Sequence, residues 1–278
     1  MSRVQWPILD LAESGSYRAI EMATNRGWNA PQPCGRAPKQ AALRGARRRR
    51  STSLPPSGAL KILPEFYDAM FSAHGPQGWW PGHSRMEVIA GAILVQNTSW
   101  SNAEKAIRQL RGKGLLNIES LEAVTERALA EEIRSSGYYR QKAKKLKAFA
   151  SFLRVRFDGS LAKLFAGHTS TVREELLSVN GIGPETADSI LLYAGKHPVF
   201  VVDAYTRRIL ERHGLLQGDE TYEEVRGLFE SSLPADARVY NEYHALLVRV
   251  GKENCLKRGP RCAGCALQRF PAPGVENR

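Results

Sequence analysis

From residue 60 to about residue 255, apolar positions return every three or four residues in one helix-length block after another. KILPEFYDAMFSAHG places Leu63, Phe66, Met70 and Phe71 on one face. SRMEVIAGAILVQN opens with Ser84 as an N-cap and Glu87 three residues later, a capping box, before an apolar run that predicts a buried helix. SWSNAEKAIRQLRGKG starts at a cap and stops at glycine, and LEAVTERALAEEIRSSG and RQKAKKLKAFASFLRVRF are amphipathic. TSTVREELLSVNG, PETADSILLYAG, AYTRRILERHG, YEEVRGLFESSL and ARVYNEYHALLVRVGKENC continue the pattern. One run, PVFVVD, reads as β, and it is too short to build a sheet. The expectation is an all-α fold.

Residues 1 to 56 break the pattern. NAPQPCGRAPK and RGARRRRSTSLPPSG have little periodicity and predict a disordered basic extension, whose Arg47 to Arg50 suit phosphate. Over the 278 residues, 40 Lys and Arg stand against 28 Asp and Glu, a formal charge of +12. That excess favours a polyanionic partner, with a solvated basic tail as the plainer alternative. No apolar run is long enough to span a bilayer, and the first residues lack the apolar stretch of a signal peptide. A soluble, cytoplasmic or nucleoid-associated monomer is expected, or a nuclear one in a eukaryote, with no membrane partner.

The chemistry begins at SVNGIGPETADSILLYAGKHPVFVVDAY, residues 178 to 205. It reads helix, tight turn, helix. Gly181 and Gly183 permit backbone angles and close approach that side chains block, and Pro184 suits the first helical turn. Amides at that helix start, with the positive end of the dipole, suit a phosphate. A glycine turn between two helices is also a common structural device. Asp203 follows an apolar run, where a carboxylate is costly to bury without a task. It is either an N-cap for AYTRRIL, a carboxylate at the mouth of a cleft, or both.

VNGIGPETA followed by VVDAYTRR resembles the helix-hairpin-helix and Gly/Pro-Asp signature of the endonuclease III superfamily of DNA glycosylases. ILVQNTSWSNAEKAI, GYYRQKAKKL and GKENCLKRGPRCAGC resemble further segments of that family, so the likeness covers roughly residues 60 to 266. The resemblance implies a six-helix domain over 84–198, a second helical domain from 57–83 and 199–278, and damaged double-stranded DNA in the groove between them. It implies a base flipped out of the duplex and excised. Asp203 matches the catalytic carboxylate, which would stabilise the oxocarbenium-like sugar or help a water attack. Gln96 matches the residue that fills the space left by the base, with Asn97 and Thr98 beside it. Gly181, Ile182, Gly183, Glu185 and Thr186 would meet DNA as parts of the hairpin.

Two departures bear on the chemistry. Bifunctional members carry Lys where this chain has Glu185, eighteen residues before Asp203, and Glu cannot form a Schiff base. A monofunctional enzyme is expected. The alternatives are a glycosylase/AP lyase for oxidised pyrimidines using another amine, and a non-catalytic DNA-binding protein. Lys142, Lys144 and Lys145 are near only in sequence. The Glu185 position and GPQGWWPG resemble the 3-methyladenine branch, in which Trp79 and Trp80, with Tyr138 and Tyr139, would wall a pocket for a cationic base. Packing between domains is the plainer role for the Trp pair. Cys255, Cys262 and Cys265 have the spacing C-x6-C-x2-C, which resembles the start of the family's [4Fe–4S] loop. The fourth thiolate is expected at position 271, which is proline, so a cluster with a non-Cys ligand, a labile cluster or none remain open.

Overall fold

In the computed structural model, residues 59–276 are described, and they belong to one compact unit. The expected basic extension, with Arg47 to Arg50 and Cys34, lies outside them. The described chain is helical throughout. Its elements are α1 (Ala59–His74), α2 (Arg85–Leu94), α3 (Trp100–Gly112), α4 (Ile118–Ala123), α5 (Glu126–Glu132), α6 (Tyr139–Phe157) and α7 (Leu161–Leu164). They continue with α8 (Thr169–Leu177), α9 (Pro184–Ser189), α10 (Ala204–Arg212), α11 (Tyr222–Ser232), α12 (Ala237–Glu253) and a last turn, α13 (Pro273–Glu276). A π-helical segment, Ile190–Gly195, extends α9. No helix of the described residues is long and apolar enough to cross a membrane.

The caps follow from the sequence. Ser84, Ser99, Asn117, Thr125 and Thr221 each accept an N-terminal backbone N–H of the following helix. Ser84 accepts from Glu87 N at 3.1 Å, as expected. The other half of the expected capping box does not form, because the buried Glu87 carboxylate is taken by Arg111 of α3, with Nε–Oε2 at 3.1 Å. A guanidinium fork outcompetes a local backbone N–H for a carboxylate out of water. On α1, Leu63, Phe66 and Met70 are fully buried, while Phe71 is only half-buried and stacks on Tyr67.

The α1 face packs on α11 and α12, and α10 packs on α12. Between them, Phe200 stacks on Phe229 at 3.9 Å and 5°. Burying a Phe contributes about 1.5–3 kcal/mol, so this pair anchors the second group of helices. It also explains PVFVVD. Val199, Phe200, Val201 and Val202 are buried, yet they form no strand. Their backbone donors meet side chains instead. Phe200 N donates to Glu230 Oε1 at 3.0 Å and Val202 N to Tyr222 Oη at 3.4 Å. The run is an extended strap between α9 and α10, and it fixes where Asp203 emerges.

Candidate active site

The hairpin turn closes as the sequence predicts, with its two glycines serving different ends. Gly181 has φ +86, in the left-handed region, and a Cβ there would sit 2.5 Å from Lys145 Cγ. Gly183 has φ −95 and ψ 179, an ordinary extended residue capping α9, and a Cβ there would meet nothing within 4 Å. Its value is an uncovered backbone rather than an unusual angle. Ile182 is buried and roots the turn. The two hairpin helices are joined by a buried carboxylate. Asp188 of α9 is fully buried and receives Arg173 of α8 through Nε–Oδ1 at 2.6 Å and Nη2–Oδ2 at 3.1 Å. Arg226 of α11 stands 3.9 Å from the second oxygen.

Facing the turn is the loop after α2. Gln96 Nε2 donates to Thr186 Oγ1 at 2.8 Å and to Gly181 O at 3.3 Å. Its Oε1 accepts from Lys145 Nζ, so both ends of the amide are engaged. Asn97 is exposed with φ 52, a conformation Asn tolerates. Thr98 Oγ1 accepts from Asn102 Nδ2 at 3.3 Å. An open cleft of about 710 Å³ lies between these loops, lined by Gln96, Lys145, Gly181, Gly183, Glu185 and Ala204 among others. Lys145 therefore belongs to the site in space, which corrects the reading of it as near in sequence alone. Lys142 does not. Its buried ammonium donates to Leu94 O at 2.9 Å and Ser136 O at 2.6 Å, fastening the end of α2. Burial, then Lys145, bring it down to about 8.

Asp203 sits at the inner edge of the cleft beside Ala204, with 15% of its side chain exposed. It is the N-cap of α10, so the two readings of this residue hold together. Oδ1 accepts from Thr206 N at 2.8 Å and from Thr206 Oγ1 at 2.9 Å. Oδ2 lies 3.6 Å from Nε2 of His244 on α12. His244 Nδ1 lies 2.6 Å from Tyr193 Oη, carried by the π-helical segment. Glu185 shares the cleft wall. Burial of its carboxyl and the nearby Asp203 charge push it up to about 7. The residue as a whole is exposed and the cleft is open to water, so the Asp203 charge is the firmer of the two causes.

Behind Asp203 lies an aromatic cluster. Trp80 stands 5.3 Å from Trp79, 5.0 Å from Trp100 and 5.1 Å from Tyr193, measured between ring centroids. It lies on α2 at Gly91, where a Cβ would come within 3.0 Å of the indole. Lys252 Nζ is 5.8 Å from the Trp79 centroid. Tyr138 and Tyr139, expected in the pocket, are not part of this cluster and do not line the cleft. Tyr138 is 67% exposed, with φ 45 at the start of α6. Tyr139 packs under Arg134 and Arg140. Gly137 and Tyr138 both have positive φ where the chain enters α6. Sequence reading missed Trp100, Thr206 and His244. The signal for His244 was a lone imidazole on the apolar stripe of YHALLVRV.

The three cysteines line a second, small cavity of about 50 Å³, between the end of α10 and the loop after α12. Cys255 Sγ accepts from Arg212 Nη1 at 3.1 Å, and the buried Arg212 also holds Leu256 O at 2.7 Å. Burial raises the Cys265 thiol, and Cys255 and Cys262 add to it. Pro271 contributes only its carbonyl, which meets His213 Nδ1 at 2.8 Å. No group of three His, Cys, Asp or Glu among the described residues is arranged to hold a single metal ion.

A hairpin clamp, an N-capping aspartate and a glutamine loop around one cleft in an all-helical unit define a DNA base-excision glycosylase. Residues 90–235 match the HhH-GPD superfamily base excision DNA repair protein model, and the chain belongs to that family. It is 42% identical over 212 residues to MJ1434 of Methanocaldococcus jannaschii, assigned to the DNA repair glycosylases, covering 76% of this chain and 96% of that one. It is 30% identical to endonuclease III of Thermotoga maritima, covering 65% of this chain and 79% of that one. Among solved structures, the H. pylori 3-methyladenine DNA glycosylase MagIII bound to 1,N6-ethenoadenine is similar. It has 28% identity and a TM-score of 0.59, over 70% of this chain and 97% of that one.

Proposed function

We propose that this DNA glycosylase is monofunctional and hydrolyses the N-glycosidic bond of alkylated bases in double-stranded DNA. The observation that carries the reading is that the first turn of α9 places a carboxyl, Glu185, and not an amine, in the cleft and within reach of the Asp203 charge. As positive charge grows on the sugar, the Asp203 carboxylate stabilises it or orients the attacking water. Thr206 holds Oδ1 twice, which leaves a lone pair of Oδ2 to face the reacting centre. The turn at Gly181 to Gly183 presents backbone amides to a phosphate. Gln96 enters the duplex where the base has left, giving up its contacts to Thr186 and Gly181 as it does. Trp79, Trp80 and Trp100 provide an aromatic surface next to the Asp203 network, suited to a base whose own positive charge weakens its bond to the sugar. On this reading the cleft lies between two helical lobes, residues 84–198 and residues 57–83 with 199–278.

A [4Fe–4S] cluster would find three of its four usual thiolates on this chain, Cys255, Cys262 and Cys265, which surround a cavity rather than converge on a point, while Pro271 offers no fourth ligand. Such a cluster would tie the C-terminal loop to α10 and α12, taking no part in base release.

Lys145 supports a second reading, a lyase using that amine, because it lines the same cleft. One assay separates them. Purified protein is incubated with duplexes carrying 3-methyladenine, thymine glycol, uracil or mismatched thymine, with and without borohydride. The monofunctional reading expects release of 3-methyladenine, an intact abasic strand and no trapped adduct. A covalent adduct that Lys145→Ala abolishes would establish the lyase. Release of thymine glycol alone would refute the alkylated-base reading.

A further inference from the structure

Two buried groups stand behind Asp203, and packing alone does not account for their geometry. His244 is 5% exposed and Tyr193 is 2% exposed. Tyr193 Oη lies 2.6 Å from His244 Nδ1, while His244 Nε2 has no hydrogen-bond partner. A buried nitrogen left unpaired loses its contact with water and gains nothing in return. The group facing it is Asp203 Oδ2, 3.6 Å away. The two distances select a tautomer. With the phenol donating to Nδ1, the ring proton is on Nε2 and points at the carboxylate. The opposite tautomer would set the Nε2 lone pair against a carboxylate oxygen, which is repulsive.

We propose that His244 is a positioning residue for Asp203, a neutral imidazole fixed by Tyr193 that donates its Nε2–H to Oδ2. The inference rests on the role assigned to Asp203 above. Asp203 is then gripped on both sides, Oδ1 by Thr206 and Oδ2 by His244. Burial lowers His244 below its ordinary value while Asp203 pulls the other way, in keeping with a neutral ring. The other ionisable groups facing this network are Glu185 from α9, whose charged form opposes an ionised Asp203, and Tyr193, pushed up by burial and therefore a neutral donor. The His244 donor offsets that opposition.

The test uses the full chain, with His244→Leu, His244→Gln and Tyr193→Phe. Single-turnover release of 3-methyladenine is followed across pH, and affinity is measured for a duplex with an uncleavable abasic analogue. For His244→Leu the expected result is a rate loss of about 10²-fold, with affinity unchanged. Losing the donor removes a contact that favours the charged carboxylate, so the loss of rate is deepest on the acid limb of the profile. His244→Gln keeps an N–H and recovers much of the rate, and Tyr193→Phe falls between. A loss of rate that is uniform across pH, or equal losses in the Gln and Leu variants, would reduce His244 to packing and overturn the proposal. Imidazole 15N spectra of the unliganded protein need no substrate, so they separate this inference from the glycosylase reading. They should show the His244 proton on Nε2 at neutral pH, and a proton on Nδ1 or a charged ring would refute it.

Discussion

At the scale of single residues, the site divides into groups that do chemistry and groups that hold them. Asp203 tests the first. In Asp203→Asn the amide keeps an acceptor for Thr206, so α10 stays capped, but the negative charge opposite the sugar is gone. Base release should fall by about 10³-fold or more, with duplex affinity nearly intact, as measured by single turnover beside fluorescence anisotropy. Comparable release from the variant would mean that the carboxylate is only a cap. Glu185 makes a pH-dependent prediction. Its folded-state value, about 7, lies above the ordinary carboxyl value. It is therefore neutral in the cleft at mildly acid pH and gains charge as pH rises through 7, where it repels both Asp203 and phosphate. DNA affinity should weaken across that interval in the native protein, and the dependence should flatten in Glu185→Gln. An identical pH profile for the two would show that Glu185 faces neither. The same shift means that stability conferred by the neutral carboxyl is lost as pH rises from the unfolded value through 7.

At the scale of elements, the hairpin depends on an ion pair rather than on its glycines alone. Asp188 is fully buried under Arg173, with Arg226 behind it. Removing Asp188 leaves the largely buried Arg173 with Glu223 as its remaining partner, so Asp188→Ala should cost about 3–5 kcal/mol in urea unfolding. Arg173 is partly exposed and also reaches Glu223, so the lower end is expected. A loss below about 1 kcal/mol, the range of surface pairs, would show that the hairpin does not need the pair. Asp188 lies in plain view in PETADSILLYA, yet nothing local distinguishes it from an exposed helical acid. The helices themselves were legible because their apolar period is local. So were the turn and Asp203, because their spacing along the chain carries them. Contacts across the fold were not. Gln96 and Lys145 are 49 residues apart, and Tyr193 and His244 are 51 apart. PVFVVD looked like β because valines suit strands. Its donors were instead satisfied by Glu230 and Tyr222, which no periodicity announces. Tyr138 and Tyr139 failed as well, since Tyr138 is exposed and Tyr139 packs under Arg134 and Arg140.

At the scale of the whole molecule, α10 connects the reaction to the C-terminal loop. Its first turn is capped by Asp203, and its last turn carries Arg212, which holds Cys255 Sγ and two carbonyls of the following loop. Arg208, on the same helix, donates to Cys255 O at 2.8 Å and Gly251 O at 3.0 Å. Five hydrogen bonds from two arginines thus brace the helix that Asp203 caps. A cluster held by Cys255, Cys262 and Cys265 would add to this brace, because binding only the folded state stabilises it by mass action. Two measurements should therefore part company. After anaerobic reconstitution with iron and sulfide, the native protein should gain visible absorbance and a higher Tm, and the Cys255→Ser/Cys262→Ser/Cys265→Ser variant should gain neither. Base release below the Tm should differ little between them, since the arginine brace does not pass through the cluster. Equal iron and equal Tm in both proteins would remove the cluster from this fold. Equal Tm with a large loss of release in the variant would instead give the cysteine loop a direct part in DNA binding, which its neighbours Lys252, Lys257, Arg258 and Arg261 could supply through phosphate contacts.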